Sequence, residues 1–153
     1  IINPLKMLRL ANSELLELAV NKYATMVVGV LDLNAQVLRY SIAGHLPQPI
    51  MITDEDTYYL PGEGSPVGLL PDPRYAEQVI ALPDRFILSI LSDGVLETMT
   101  DINLIEKEEY LLASVAGPVA KPIELARRLG LEDLARTEVP DDIAGLFISR
   151  ALS

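Results

Sequence analysis

Cysteine is absent from this chain of 153 residues, which excludes disulfides, thiolate metal sites and a cysteine nucleophile. Long apolar runs are also missing: none approaches the roughly 20 residues that span a bilayer. Lys6 and Arg9 interrupt the apolar residues at the amino end, so it does not read as a signal peptide. Positive charge is scarce. Against 22 Asp and Glu stand 12 Lys and Arg, a formal net charge of −10. A surface of that sign repels phosphate backbones and anionic lipid, which excludes nucleic acid or a membrane as the primary partner; it suits divalent cations or a basic protein. The glycines of Pro61-Gly62-Glu63-Gly64-Ser65-Pro66 are not followed by a helix opening on Lys-Ser or Lys-Thr, so they are no phosphate cradle. Together these absences lead to the expectation of a soluble, cytoplasmic protein.

What the chain has is enough apolar residue, 50% of the total, for a real core. A domain of this length buries roughly two thirds of its unfolded surface. No internal repeat, low-complexity tract or linker divides it, so residues 1–153 read as a single domain.

Asn3-Pro4 predicts a helix start, with Asn3 as N-cap, and Leu5, Leu8, Leu15, Leu16 and Ala19 continue an amphipathic helix to about residue 21. Asn12 falls on its apolar face, where a buried amide must find partners; tying down a neighbouring loop is the expected role. Thr25 to Leu31 and Gln36 to Ile42 read as strands joined by a hairpin turn at Asp32 to Ala35. Ala43-Gly44-His45-Leu46-Pro47 and the apolar run Pro49 to Thr53 follow. His45, the single histidine, suits either a loop-stabilising role or that of a ligand or general base. Residues 54–74 are expected to be loop-rich, and Tyr75 to Leu82 a strand paired with Phe86 to Leu91. Leu104 to Val115 and Pro122 to Leu134 read as helices, with the end of the second blurred by Gly130 and Asp133. Ile143 to Ser149 closes the chain as a strand.

Phe86-Ile87-Leu88-Ser89-Ile90-Leu91 is the most strongly marked of these elements, an apolar run bounded by turn signals as in a strand buried on both faces. Ser92-Asp93-Gly94-Val95-Leu96-Glu97 follows it. A carboxylate ahead of glycine at a strand end is well placed to hold a cation, since glycine permits a tight turn and close backbone approach. On those residues alone, an Asp-Gly turn closing a surface hairpin is the simpler account. Asp141 and Asp142 stand directly before the last strand. If the two strands are antiparallel neighbours, Asp93 and Asp141 come to one sheet edge. Crowded carboxylates repel, and hard oxygen ligands suit Mg²⁺ or Mn²⁺; a solvated turn accounts for Asp141 and Asp142 equally well.

Several motifs then occur in a telling order: Thr25-Met26, Ala43-Gly44-His45-Leu46-Pro47, Gly64-Ser65-Pro66-Val67-Gly68-Leu69, Leu82-Pro83-Asp84-Arg85 before a strand ending Ser92-Asp93-Gly94, and Asp141-Asp142-Ile143. In that order the chain resembles the SpoIIE-type branch of the PPM (protein phosphatase 2C-like) phosphatases, and Asn12 resembles the Asn of that branch. The resemblance implies an α+β fold, two antiparallel β-sheets packed as a sandwich and flanked by helices, incomplete at its amino end. It implies hydrolysis of phosphoserine or phosphothreonine on a protein, with a pair of Mn²⁺ or Mg²⁺ ions and a water between them as nucleophile. By the same resemblance Asp93 and Asp141 are metal ligands that act through metal-bound water, Gly94 and Asp142 support them, and Asn12, Gly44 and His45 belong to structural motifs.

The family's other metal-binding carboxylates lie on strands ahead of the helix that begins here near Pro4. The start on Ile1 therefore leads to the expectation of a fragment, the carboxy-terminal portion of the family domain, inactive alone. Smaller departures are Ala144, where a Thr often follows Asp-Asp-Ile, and the lack of a Gly between Pro83 and Asp84. The resemblance suggests the output domain of a bacterial signalling protein or response regulator, with an upstream receiver or sensor domain and a phosphorylated anti-sigma factor antagonist as substrate; a homodimer is left open. A pseudophosphatase that acts by protein contact is one rival, and a plain structural or dimerisation domain is another.

Overall fold

The computed structural model describes residues 2–118, 121–131 and 141–150. Its elements run α1 (Pro4–Glu17), β1 (Met26–Asp32), β2 (Val37–Ala43), β3 (Ile50–Ile52), β4 (Thr57–Tyr59), β5 (Gln78–Ala81), β6 (Phe86–Leu91), α2 (Gly94–Glu97), α3 (Leu104–Val115), α4 (Pro122–Arg128) and β7 (Gly145–Arg150). They form two compact units, one of Ile1–His45 with Pro61–Leu82 and the other of Leu46–Leu60 with Pro83–Ser153. Each unit holds one antiparallel sheet, so the α+β class with two antiparallel sheets and helices holds.

The first unit begins as the sequence dictates. Asn3 caps α1 by accepting the Lys6 N–H at 2.8 Å, and Pro4 occupies the first turn, where no N–H is needed. α1 stops at Glu17, short of residue 21, because Ala19 and Asn21 take left-handed φ angles of 52° and 50° that no α-helix can include. Leu8 is buried and packs with Ala43, Val67 and Tyr75. The sheet has the order β1-β2-β5. β1 and β2 are joined through a turn in which the Asp32 carboxylate accepts the Asn34 and Ala35 N–H groups at 3.0 and 2.8 Å.

The second unit is built on β6, buried along nearly its whole length and hydrogen-bonded on both edges in the order β4-β3-β6-β7. Its central place explains its composition: a strand covered on both faces can carry apolar residues throughout. Ile87 and Leu91 join Ile50, Ile52, Val95, Leu96, Leu111, Val115 and Leu125 in one core. α3 starts with a reciprocal cap, the Asn103 carboxamide accepting the Glu106 N–H at 3.1 Å and the Glu106 carboxylate accepting the Asn103 N–H at 2.9 Å. The Tyr59 hydroxyl ties β4 to α3 by donating to the Glu108 carbonyl at 2.7 Å, and burial raises its pKa above the usual tyrosine value, with the Glu108 charge adding to the effect.

One expectation about strand pairing is corrected here. The strand expected over Tyr75 to Leu82 is shorter and pairs with β2, not with β6. The edges of β6 are taken by β3 and β7, while β5 alternates half-buried and exposed positions, as suits an edge strand. The Leu82 N–H donates to Gln36 O at 2.8 Å, and Arg39 faces Glu77 at 3.7 Å, continuing that pairing beyond the strand. Residues 54–74 are loop-rich apart from one short strand, β4, which returns on β3 through Asp54-Glu55-Asp56, where the Thr53 hydroxyl accepts two backbone N–H groups. α4 ends at Arg128, with Gly130 at a left-handed φ of 69° and the Leu131 N–H closing on Ala126 O at 2.9 Å. The expected continuation over residues 132–134 and the lead-in Glu138-Val139-Pro140 lie outside the described residues. Among the described residues no helix is long and apolar enough to cross a membrane.

Candidate metal centre

β6 and β7 are antiparallel neighbours, with Leu91 opposite Gly145 as the last paired residues of the two strands. The chain after β6 and the chain before β7 therefore leave the sheet at the same edge, and with them Asp93 and Asp141-Asp142. Pairing continues one step past the strands. The Ser92 N–H donates to the Ala144 carbonyl at 2.8 Å, and the Ala144 N–H donates to the Ser92 hydroxyl oxygen at 2.8 Å. That hydroxyl donates in turn to the Asp142 carbonyl at 3.2 Å.

Asp93 is held on both sides. Leu91 before it and Val95 and Leu96 after it are buried in the core of this unit. Asp93 itself has helical backbone angles, φ −61° and ψ −25°, and its side chain makes no capping bond to α2. The hairpin-turn account of Asp93-Gly94 therefore falls away: the chain enters a helix here, and β6 pairs with a strand more than fifty residues distant. Gly94 is buried against the Asp142 carbonyl; a Cβ there would collide with that oxygen and stand 3.0 Å from the carbonyl carbon. Absence of a side chain at Gly94 is what lets the two acidic segments touch.

Asp93, Asp141 and Asp142 are exposed, so their carboxylates open to solvent rather than to the core. One Asp141 carboxylate oxygen accepts the Asp142 N–H at 2.8 Å, which steadies its side chain. As donors these are hard oxygens, suited to Mg²⁺ or Mn²⁺. Among the described residues no group of three or more His, Asp or Glu is gathered as a metal cage. The residues present thus fit a share of a hard-cation shell, one or two carboxylates with water completing the rest, and do not by themselves enclose a pair of ions.

The other singled-out residues lie in the first unit. Asn12 is buried and fully engaged: its amide donates to Leu70 O at 3.0 Å, and its carbonyl oxygen accepts the Gly68 N–H at 2.8 Å and the Tyr75 hydroxyl at 3.4 Å. This is the loop-tying role expected of it. Gly44, with φ +64°, sits against Pro66, whose Cγ would lie 2.5 Å from a Cβ at that position. His45 follows it in the loop after β2, half-buried. Ser92 was given no role from sequence, although a hydroxyl at a strand end can compete for backbone partners and so marks a place to look.

Against known proteins, the search of curated sequences finds no match. Solved structures agree with the fold. The RsbU and RsbW domains of a Mycobacterium tuberculosis protein superimpose with a TM-score of 0.65 at 23% identity, over 88% of this chain and 38% of that one. The phosphatase domain of SpoIIE from Bacillus subtilis, presoaked in Mn, gives 0.65 at 16% identity, over 95% of this chain and 65% of that one. RsbX in complex with magnesium gives 0.62 at 12% identity, over 93% and 60%. This chain thus spans only part of each of these structures. The family model described as stage II sporulation protein E (SpoIIE) matches residues 2–151, nearly the whole chain, and the protein belongs to that family.

Proposed function

We propose that the chain is the carboxy-terminal portion of a metal-dependent serine/threonine phosphoprotein phosphatase domain acting in signalling, with Asp93 and Asp141 as its metal ligands. The observation that carries this is the junction of Asp93 with Asp141-Asp142 at one end of the β6–β7 pair, held by Ser92 and Gly94. Membership of the SpoIIE family supports it, as do the Mn-soaked and magnesium-bound states of the related structures. Mn²⁺ or Mg²⁺ bound there would lower the pKa of a coordinated water and neutralise charge building on the phosphoryl oxygens. The chain's own part is to fix Asp93 and Asp141 on rigid elements, with Asp142 and Gly94 holding the backbone around them. A complete site needs further ligands than the described residues gather. A phosphorylated anti-sigma factor antagonist is the proposed substrate, with an upstream receiver or sensor domain supplying control in the cytoplasm.

Hydrolysis of a generic aryl phosphate by the complete protein in Mn²⁺ tests this. Asp93→Asn or Asp141→Asn should each remove most of the activity while leaving the fold intact, because both side chains are exposed. A complete, folded protein inert in both Mn²⁺ and Mg²⁺ would overturn the catalytic role. The lack of a larger ligand group among the described residues favours the alternative in that event, a phosphatase fold kept as a regulatory binding module.

A further inference from the structure

We infer that Ser92 is a positioning residue: its hydroxyl replaces the main chain in the last rung of the β6–β7 ladder, and so sets where Asp93 stands relative to Asp141. In a regular antiparallel rung the two residues exchange both backbone N–H···O=C bonds. At Ser92 and Ala144 only half of that exchange is present. The Ser92 N–H donates to Ala144 O at 2.8 Å, but the Ala144 N–H goes to the Ser92 side-chain oxygen, also at 2.8 Å. The Ser92 carbonyl, released from the ladder, accepts the Val95 N–H at 3.3 Å and starts the turn into α2, followed by the Leu96 N–H on Asp93 O at 2.8 Å. One hydroxyl thus lets the chain change from strand to helix at Asp93 without leaving the Ala144 N–H unpaired.

The same hydroxyl also spends its proton on the Asp142 carbonyl, at 3.2 Å. It is therefore bonded at once to the segment that opens β7 and to the residue next to Asp141. Its backbone precedes Asp93 directly. A short side chain with both a donor and an acceptor is required: Ala offers neither, and a longer polar side chain overshoots a rung at this spacing. Thr retains the hydroxyl. Because its partners Asp142 and Ala144 are solvent-exposed, water can take over the lost bonds in Ser92→Ala, so the loss is one of placement more than of stability.

This rests on the proposal that Asp93 and Asp141 share a cation, and the test separates the two. Mn²⁺ affinity of the present chain is measured by calorimetric titration for the unaltered protein, Asp93→Asn, Ser92→Ala and Ser92→Thr. Hydrogen exchange at the Ala144 amide is followed for the same proteins without metal. Ser92→Ala should weaken Mn²⁺ binding roughly 10-fold or more, the usual cost of losing a group that orients a ligand, and should speed exchange at Ala144; Ser92→Thr should restore both. If the unaltered chain binds Mn²⁺ no better than Asp93→Asn, the shared-cation proposal fails, and exchange at Ala144 alone decides the role of Ser92. Unchanged exchange at Ala144 in Ser92→Ala overturns the inference, as does Mn²⁺ affinity that depends on Asp93 but not on Ser92. Should Ser92→Ala not fold, Ser92→Cys, which keeps the shape with a weak acceptor, is read against the same two outcomes.

Discussion

Gly94 and Asp142 meet backbone to backbone, with no room for even a methyl group between the start of α2 and the Asp142 carbonyl. A Cβ at Gly94 would also come within 3.2 Å of Ile143 Cγ1, so neither side of the contact is the free end of a flexible side chain. Gly94→Ala should therefore push the Asp141-Asp142 segment away from Asp93 and destabilise the fold by about 1–3 kcal/mol, the range for overpacking a tight site. Urea denaturation measures the stability. A loss within the few tenths expected of an ordinary surface change would show that the two segments separate at no cost.

Asn12 makes its contribution at the opposite extreme of burial, with its amide meeting Leu70 O, the Gly68 N–H and the Tyr75 hydroxyl. Asn12→Leu leaves these groups unsatisfied and should cost about 1–3 kcal/mol. Asn12→Asp is the more telling substitution. It keeps an acceptor for the Gly68 N–H but turns the donor facing the Leu70 carbonyl into a second acceptor, so it should destabilise despite its near-identical shape. Equal denaturation midpoints for Asn12→Asp and the unaltered chain would show that the Leu70 bond is dispensable.

These two residues also mark what could be read before the fold was known. Asn12 on an apolar helical stripe announces a buried amide, because position on a helix follows from spacing alone. The Phe86 to Leu91 run likewise announces a central strand. Which strand pairs with which is a different matter: β5 carries no local mark that sends it to β2 rather than to β6, since period-2 alternation fixes the faces of a strand and not its neighbour. β4 has three residues, too few to show any period. Asp93-Gly94 alone reads as a turn because the dipeptide is common to hairpins and helix starts, and only the distant Asp142 decides between them. Ser92 was hidden for the same reason, since its partners at 142 and 144 lie some fifty residues away.

Tyrosine ionisation gives a pH dependence of known sign. Burial raises the pKa of both Tyr59 and Tyr75 above the ordinary value of 10.0. Below that value the folded and unfolded chains hold the same phenolic protons, and stability from these groups is fully present. As the pH rises past it, the unfolded chain gives up protons that the folded chain retains, so stability falls with increasing pH. In an absorbance titration of phenolate, Tyr59 and Tyr75 should ionise above the ordinary tyrosine value. Tyr59→Phe should flatten the alkaline decline in the denaturation midpoint while losing the bond to Glu108 O. A single titration wave near the ordinary value would contradict this.

Metal linkage supplies the last test. An ion that binds only the folded chain adds stability as RT ln(1 + [L]/Kd), about 2.7 kcal/mol at a hundredfold excess over Kd. Asp93 and Asp141 are brought to one edge only when β6 pairs with β7, so the unfolded chain has no such site. Its net charge of −10 will still attract cations loosely, and that part of the response must be removed by comparison. Mn²⁺ should therefore raise the unfolding midpoint of the unaltered chain above that in chelator, and Asp93→Asn should lose the increment while keeping the same midpoint in chelator. Asp54→Asn, on the distant β3–β4 turn, should keep it. If Asp93→Asn and Asp54→Asn respond to Mn²⁺ alike, the cation is held by charge density in general and the β6–β7 edge has no special claim on it.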